Sequence, residues 1–116
     1  GWSPLGSGFL TGTVDKLSEI DFRQNNPRFA GDNLKSNRDR FSPFMDLAKE
    51  LNISPAQLAL SWLLHQGQDI FPIPGTRKVS RIDENAEALN VKIDVSTLKN
   101  INEIAKPGLA EGATLV

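Results

Sequence analysis

Apolar residues recur at three- and four-residue spacing over Phe41, Phe44, Met45, Leu47, Ala48 and Leu51. That spacing predicts an amphipathic helix over about residues 38–51. Pro43 leaves two ways to begin it. Either Ser42 caps and Pro43 takes the first helical position, or the helix starts earlier and kinks. Ser54-Pro55-Ala56-Gln57 has the form of a capping box with proline at the first helical position. The helix that follows, to about His65, is apolar nearly all round (Leu58, Ala59, Leu60, Trp62, Leu63, Leu64). Such a helix predicts burial on more than one side. Gly67 stops it. The short apolar run at residues 70–73 reads as a buried strand, with Pro72 limiting its ladder donors. A helical pattern resumes over about residues 79–89. Val91 and Ile93 form an extended link. Asp94 caps a last helix, with Leu98, Ile101 and Ile104 on one face. Pro107-Gly108 ends it, and residues 109–116 read as a loose tail.

The first 37 residues lack such periods. Residues 1–12 place four glycines and a proline among Trp2, Leu5, Phe9 and Leu10, which is turn chemistry with apolar anchors. Residues 13–37 are polar and aperiodic. A structureless stretch of that length in a compact domain is functional or mobile as a rule. The order is strand end, long loop, two helices, strand, two helices. Strands alternating with helices imply parallel βα units and an α/β fold. About two strands are present, whereas a TIM barrel needs about eight and roughly 250 residues. The expected architecture is therefore a fragment of a (β/α)8 barrel: about two βα units plus an extra C-terminal helix. The abrupt start, without Met, agrees with a fragment.

Composition narrows the classes further. The chain has 116 residues, 39% apolar and 23% charged, with net charge −1. No global field draws nucleic acid or a membrane surface. The chain has no cysteine and a single histidine, His65, so no metal centre is expected. No apolar run reaches about 18 residues, and no signal-peptide pattern opens the chain. The expected location is cytoplasmic.

The basic residues are concentrated locally. Arg77, Lys78 and Arg81 follow an apolar run and a Pro-Gly, at the start of a helical pattern. A helix N-terminus favours an anion and disfavours cations. These three either form a solvated helix face or frame a bound anion, and α/β folds gather ligands at the C-terminal strand edge. Arg suits phosphate through its planar fork, Lys as a point charge. Gly6-Ser7-Gly8 does not make a dinucleotide fingerprint, because Thr11 stands where a third glycine belongs. Phe22 and Phe29 are lid anchors or satellite packing. Arg28 reaches an anion or solvent. His65 suits a helix C-terminus better than catalysis. No tyrosine is present, and no acid, base and nucleophile can be assembled.

Two blocks together resemble the aldo-keto reductases. Trp2-Ser3-Pro4-Leu5-Gly6-Ser7-Gly8 is similar to that family's seventh-strand motif, with Trp2 in place of its usual tyrosine. Ile73-Pro74-Gly75-Thr76-Arg77-Lys78, with Arg81 and Glu84-Asn85, is similar to its eighth-strand motif. Between them, Asp21-Phe22-Arg23, Pro27-Arg28-Phe29 and Ser54-Pro55-Ala56-Gln57-Leu58-Ala59-Leu60-Ser61-Trp62-Leu63 resemble its bacterial, fungal and plant branch. The resemblance implies a TIM barrel that binds NADPH and passes hydride to an aldehyde or ketone. It implies that Ser3, Pro4, Leu5, Gly6 and Ser7 line the pyrophosphate and ribose. Gly75, Thr76, Arg77 and Arg81 would hold the adenosine 2′-phosphate, and Glu84 and Asn85 would face the adenine. Residues 13–37 would cover the cofactor, with Arg28 a further contact. The family's catalytic Asp, Tyr, Lys and His belong to earlier strands, so none is expected in this chain. The implied partners are NADP(H), a small carbonyl substrate, and either a second copy or the rest of the barrel. The alternative is a nucleotide-binding or self-associating module without catalysis.

Overall fold

The computed structural model describes residues 1–114, in which five helices succeed one another: α1 (Asn33–Arg40), α2 (Ser42–Glu50), α3 (Pro55–Leu64), α4 (Val79–Glu87) and α5 (Val95–Ile104). Short 3₁₀ turns cover Phe9–Thr11, Phe22–Asn25 and Ala88–Asn90. No helix among these residues is long and apolar enough to cross a membrane.

The expected helix over residues 38–51 is two helices. Phe41, at φ −92° and ψ 4°, breaks the path, and α2 starts at Ser42 with Pro43 in its first turn. Proline has no N–H for a preceding turn and its ring crowds that turn's carbonyl, so α1 cannot run through. α1 itself lies partly inside the stretch expected to be structureless. Its buried residues are only Leu34 and Asn37, so its inward face shows no apolar period.

α3 is the central element. The Ser54 hydroxyl accepts from Gln57 N–H at 3.1 Å, and the Gln57 amide oxygen accepts from Ser54 N–H at 3.0 Å. This reciprocal pair satisfies two helix-start donors and is worth about 1 kcal/mol. α3 packs against α2, α4, the 88–90 turn and the 9–11 turn. That explains its all-round apolar sequence. Leu58 joins Phe44, Leu47, Ala48, Ala59 and Ile101 in the core. The buried Ser61 hydroxyl donates to Ala88 O at 3.0 Å, and the Gln57 side chain donates to Glu84 O at 3.0 Å. These two bonds fix α4 against α3. α5 is capped as expected: Asp94 accepts from Thr97 N–H at 2.7 Å, which holds its carboxyl below the usual range.

Two expectations are corrected. Residues 70–73 form no strand, because a ladder needs neighbouring strands and, among the described residues, only Gly1 bonds to this segment. Gly1 donates to Phe71 O at 3.0 Å and accepts from Ile73 N–H at 3.1 Å. That alternation is the register of a parallel pair. Of the expected α/β units, the described residues show the helices and one parallel contact, without a sheet. The tail is also not loose as far as it is described. Asn37, only 2% exposed, donates to Glu111 O at 2.9 Å and accepts from Glu111 N–H at 2.7 Å. The last two residues of the tail, 115–116, lie outside the described residues.

Candidate functional site

The glycine-rich start folds into consecutive tight turns. Gly6 N–H donates to Ser3 O and Gly8 N–H to Leu5 O, each at 3.0 Å. Ser3 and Ser7 take positive φ, 54° and 55°, beside Gly6 at 55° and Gly8 at 87°. Left-handed serines are strained, of order 1 kcal/mol each, and such strain gathers at functional sites. Gly8 has a specific reason to lack a side chain, since a Cβ there would come within 3.3 Å of the Arg23 guanidinium.

Across from this turn stands the start of α4. Its N-cap is Lys78, no side chain caps it, and its first turn carries no acid. α3 and α5, by contrast, begin on Ser54 and Asp94 with their hydroxyl and carboxylate bonded to the backbone. A nine-residue helix that instead begins among Arg77, Lys78 and Arg81 opposes its own dipole. Among the described residues neither Arg77 nor Lys78 has a carboxylate within ion-pair distance, and Arg81 reaches only Glu84, at 3.7 Å.

The third wall is the Phe22–Asn25 turn. Asp21 Oδ1 accepts from the Arg23 backbone N–H and from its Nε, both at 3.0 Å, and Oδ2 accepts from Nη2 at 2.7 Å. These bonds to Arg23 lower the Asp21 pKa to about 2 and raise that of Arg23. Arg23 Nη1 donates to Ser7 O at 2.9 Å. Its guanidinium lies 5.7 Å above the ring of Phe29.

The three walls border an open cleft of about 860 Å³ with a mixed polar and apolar lining. Of the residues singled out in the sequence, it brings together Ser3, Pro4, Leu5, Ser7, Gly75, Thr76, Arg77, Arg81 and Asn85. Gly6 lies within the turn without lining the cleft. Glu84 turns toward Arg81 and gives its carbonyl to Gln57. Arg28 is elsewhere: its Nε donates to Gly112 O at 3.3 Å. Lys78, the third of the clustered cations, lines the cleft as well, and so do Asp21 and Arg23, neither of which was among the expected contacts. The signal for Asp21 and Arg23 was their i,i+2 spacing ahead of a turn, which lets one carboxylate hold both the backbone and the side chain of the same arginine.

His65 serves structure. Its Nδ1 lies 2.7 Å from Ser61 O and its Nε2 accepts from Ile93 N–H at 3.3 Å. That pairing assigns the ring proton to Nδ1. No cluster of His, Cys, Asp or Glu among the described residues is placed to hold a metal ion.

The sequence model of the Aldo/keto reductase family matches residues 1–106. "Aldo-keto reductase yakc [NADP(+)]" of Schizosaccharomyces pombe is 45% identical over 105 residues, covering 88% of this chain and 31% of its own length. "Probable aldo-keto reductase 1" of Glycine max is 40% identical over 113 residues, covering 96% of this chain and 33% of its own length. The chain therefore spans about a third of the length of these relatives. With turn, cation-framed helix start and family match in agreement, the chain belongs to the aldo/keto reductase family.

Proposed function

We propose that this chain is the C-terminal, cofactor-phosphate part of an NADPH-dependent aldo-keto reductase that reduces aldehydes or ketones to alcohols. The barrel fragment expected from sequence is part of the same reading. The observation that carries it is the start of α4, where three cations and uncapped backbone line one open cleft. The donor set fits a phosphorylated nucleotide. Arg77 offers a planar fork, Lys78 a point charge, and Arg81 is steadied by Glu84.

In this reading Arg77 and Arg81 bind the 2′-phosphate. Ser3 to Ser7 line the pyrophosphate and ribose, and Asn85 faces the adenine with Glu84 behind it. Arg28 acts from a distance, through the segment it anchors. NADPH, when bound, supplies the hydride. This chain supplies binding and orientation only: it has no tyrosine, and both nitrogens of its one histidine are occupied. The proton donor then comes from residues outside it. Fluorescence titration with NADPH and NADH tests the reading. NADPH binds tighter, and Arg77→Ala with Arg81→Ala abolishes the difference; equal affinity for the two dinucleotides in the unmodified chain defeats the assignment.

A second reading, association, is favoured by one observation. Phe71, Ile73 and Leu89 are 73%, 65% and 74% exposed beside an apolar cleft of about 370 Å³ between α3, α4 and residues 70–76. Exposed apolar surface of this kind marks an interface. The partner is a second copy or the remaining barrel. Light scattering of the isolated chain decides it, and a monodisperse monomer counts against it.

A further inference from the structure

The tail beyond α5 makes more polar contacts than a chain end needs. Its partners are concentrated on one short segment and the helix behind it. Besides the reciprocal pair with Glu111, the Asn37 amide donates to Arg28 O at 3.0 Å. Arg40 pairs with the Glu111 carboxylate and donates to Leu109 O at 3.4 Å. Arg28 donates to Gly112 O. Gly112, at φ +87°, packs so closely that a Cβ would lie 2.5 Å from the backbone of Pro27. The tail is thus seated on residues 27–28 with no room for a side chain at its tightest point.

Residues 27–28 lead directly to the cleft wall. The next residue, Phe29, is 6% exposed and meets the Phe9 ring edge-on at 6.1 Å. Arg23 rests on Phe29 and bonds Ser7 O, which lies on the opposite wall.

We infer that residues 109–112 are a strap that holds the 20–29 wall against the glycine turn, so that docking of the tail and affinity of the cleft for its ligand are coupled. The coupling half rests on the nucleotide reading above; the structural half does not. Coupling of this kind is reciprocal: whatever tail docking adds to ligand affinity, ligand adds to tail docking. Asn37 is a positioning residue in this arrangement. It touches the strap and the Arg28 carbonyl and lies outside the cleft.

The test is amide hydrogen exchange on the 116-residue chain, with NADP(+) as the ligand probe. Gly112→Ala blocks docking. Gly108→Ala is the control, because Gly108 also has positive φ, +84°, but nothing within 4 Å of a Cβ. A chain ending at residue 108 removes the strap without adding strain. Gly112→Ala and the shortened chain are expected to speed exchange at residues 20–29 and to weaken NADP(+) by roughly 5- to 150-fold. Gly108→Ala does neither. In the unmodified chain, NADP(+) slows exchange of the Glu111 amide by the same factor. Unchanged exchange at 20–29 when the tail is displaced overturns the strap, as does equal acceleration by both glycine variants. If the wall loosens as expected but the unmodified chain binds no NADP(+), the strap stands and the nucleotide reading falls.

Discussion

Asp21 grips Arg23 through both carboxylate oxygens while Arg23 reaches across to the carbonyl of Ser7. One ion pair therefore joins two walls of the cleft. The Asp21 pKa is depressed to about 2 from an ordinary 3.8, and the sign of its effect on stability follows. The folded form prefers the ionised carboxylate, so the stabilisation is fully present above the unfolded pKa. It is lost as pH falls from about 4 towards 2. Asp94, lowered by the Thr97 N–H, acts in the same direction. Asp21→Asn is expected to flatten the acid limb of a stability–pH curve followed by tryptophan fluorescence, while the Asp94 contribution stays.

Leu58→Ala creates a cavity where α2, α3 and α5 meet. Leu58 is completely buried in the main cluster, so the expected loss is about 2–5 kcal/mol. Urea unfolding measures it. A loss below about 1 kcal/mol would mean that the core does not close as described.

Ser61→Ala removes one of the two donors to the carbonyl of Ala88, which keeps the Val91 N–H at 3.3 Å. The expected cost is about 0.5–1.5 kcal/mol, that of one ordinary hydrogen bond. Because this bond fixes the end of α4 to α3, nucleotide affinity should fall together with stability. Paired melting and titration curves separate that outcome from a purely local loss.

Ser54→Ala breaks the capping box of α3, with an expected cost of about 0.5–2 kcal/mol in denaturant unfolding. Ser54→Asp, which restores an acceptor, recovers most of it.

The readable elements are those whose determinants lie close together in sequence. Ser54 and Gln57, three residues apart, define the start of α3, and Asp94 with Thr97 defines that of α5. The cations of α4 drew attention in the sequence because they oppose a local dipole, and the structure groups them along one cleft. α1 was hidden because its inward face is Leu34 and Asn37, one apolar residue and one amide whose partners are backbone groups, one of them 74 residues away. Arg28 looked like a free cation for the same reason: its partner is a backbone carbonyl at Gly112, and backbone partners leave no mark in a side-chain pattern. The strand expected at residues 70–73 failed differently. Its β-favouring residues are present, but strand formation belongs to the ladder and not to the segment.

The register between Gly1 and residues 71 and 73 has a chemical consequence for the opposite edge. In a parallel pair, bonds at 71 and 73 on one side turn the polar groups of 70, 72 and 74 to the other. Two of those three positions are Pro72 and Pro74, which have no N–H. The outward edge therefore offers carbonyl acceptors with almost no donors, and an incoming strand finds few reciprocal bonds there. The same prolines that lead the backbone into the cation-framed turn make that edge a poor template for uncontrolled strand stacking. Association at this face is left to side-chain packing by Phe71, Ile73 and Leu89.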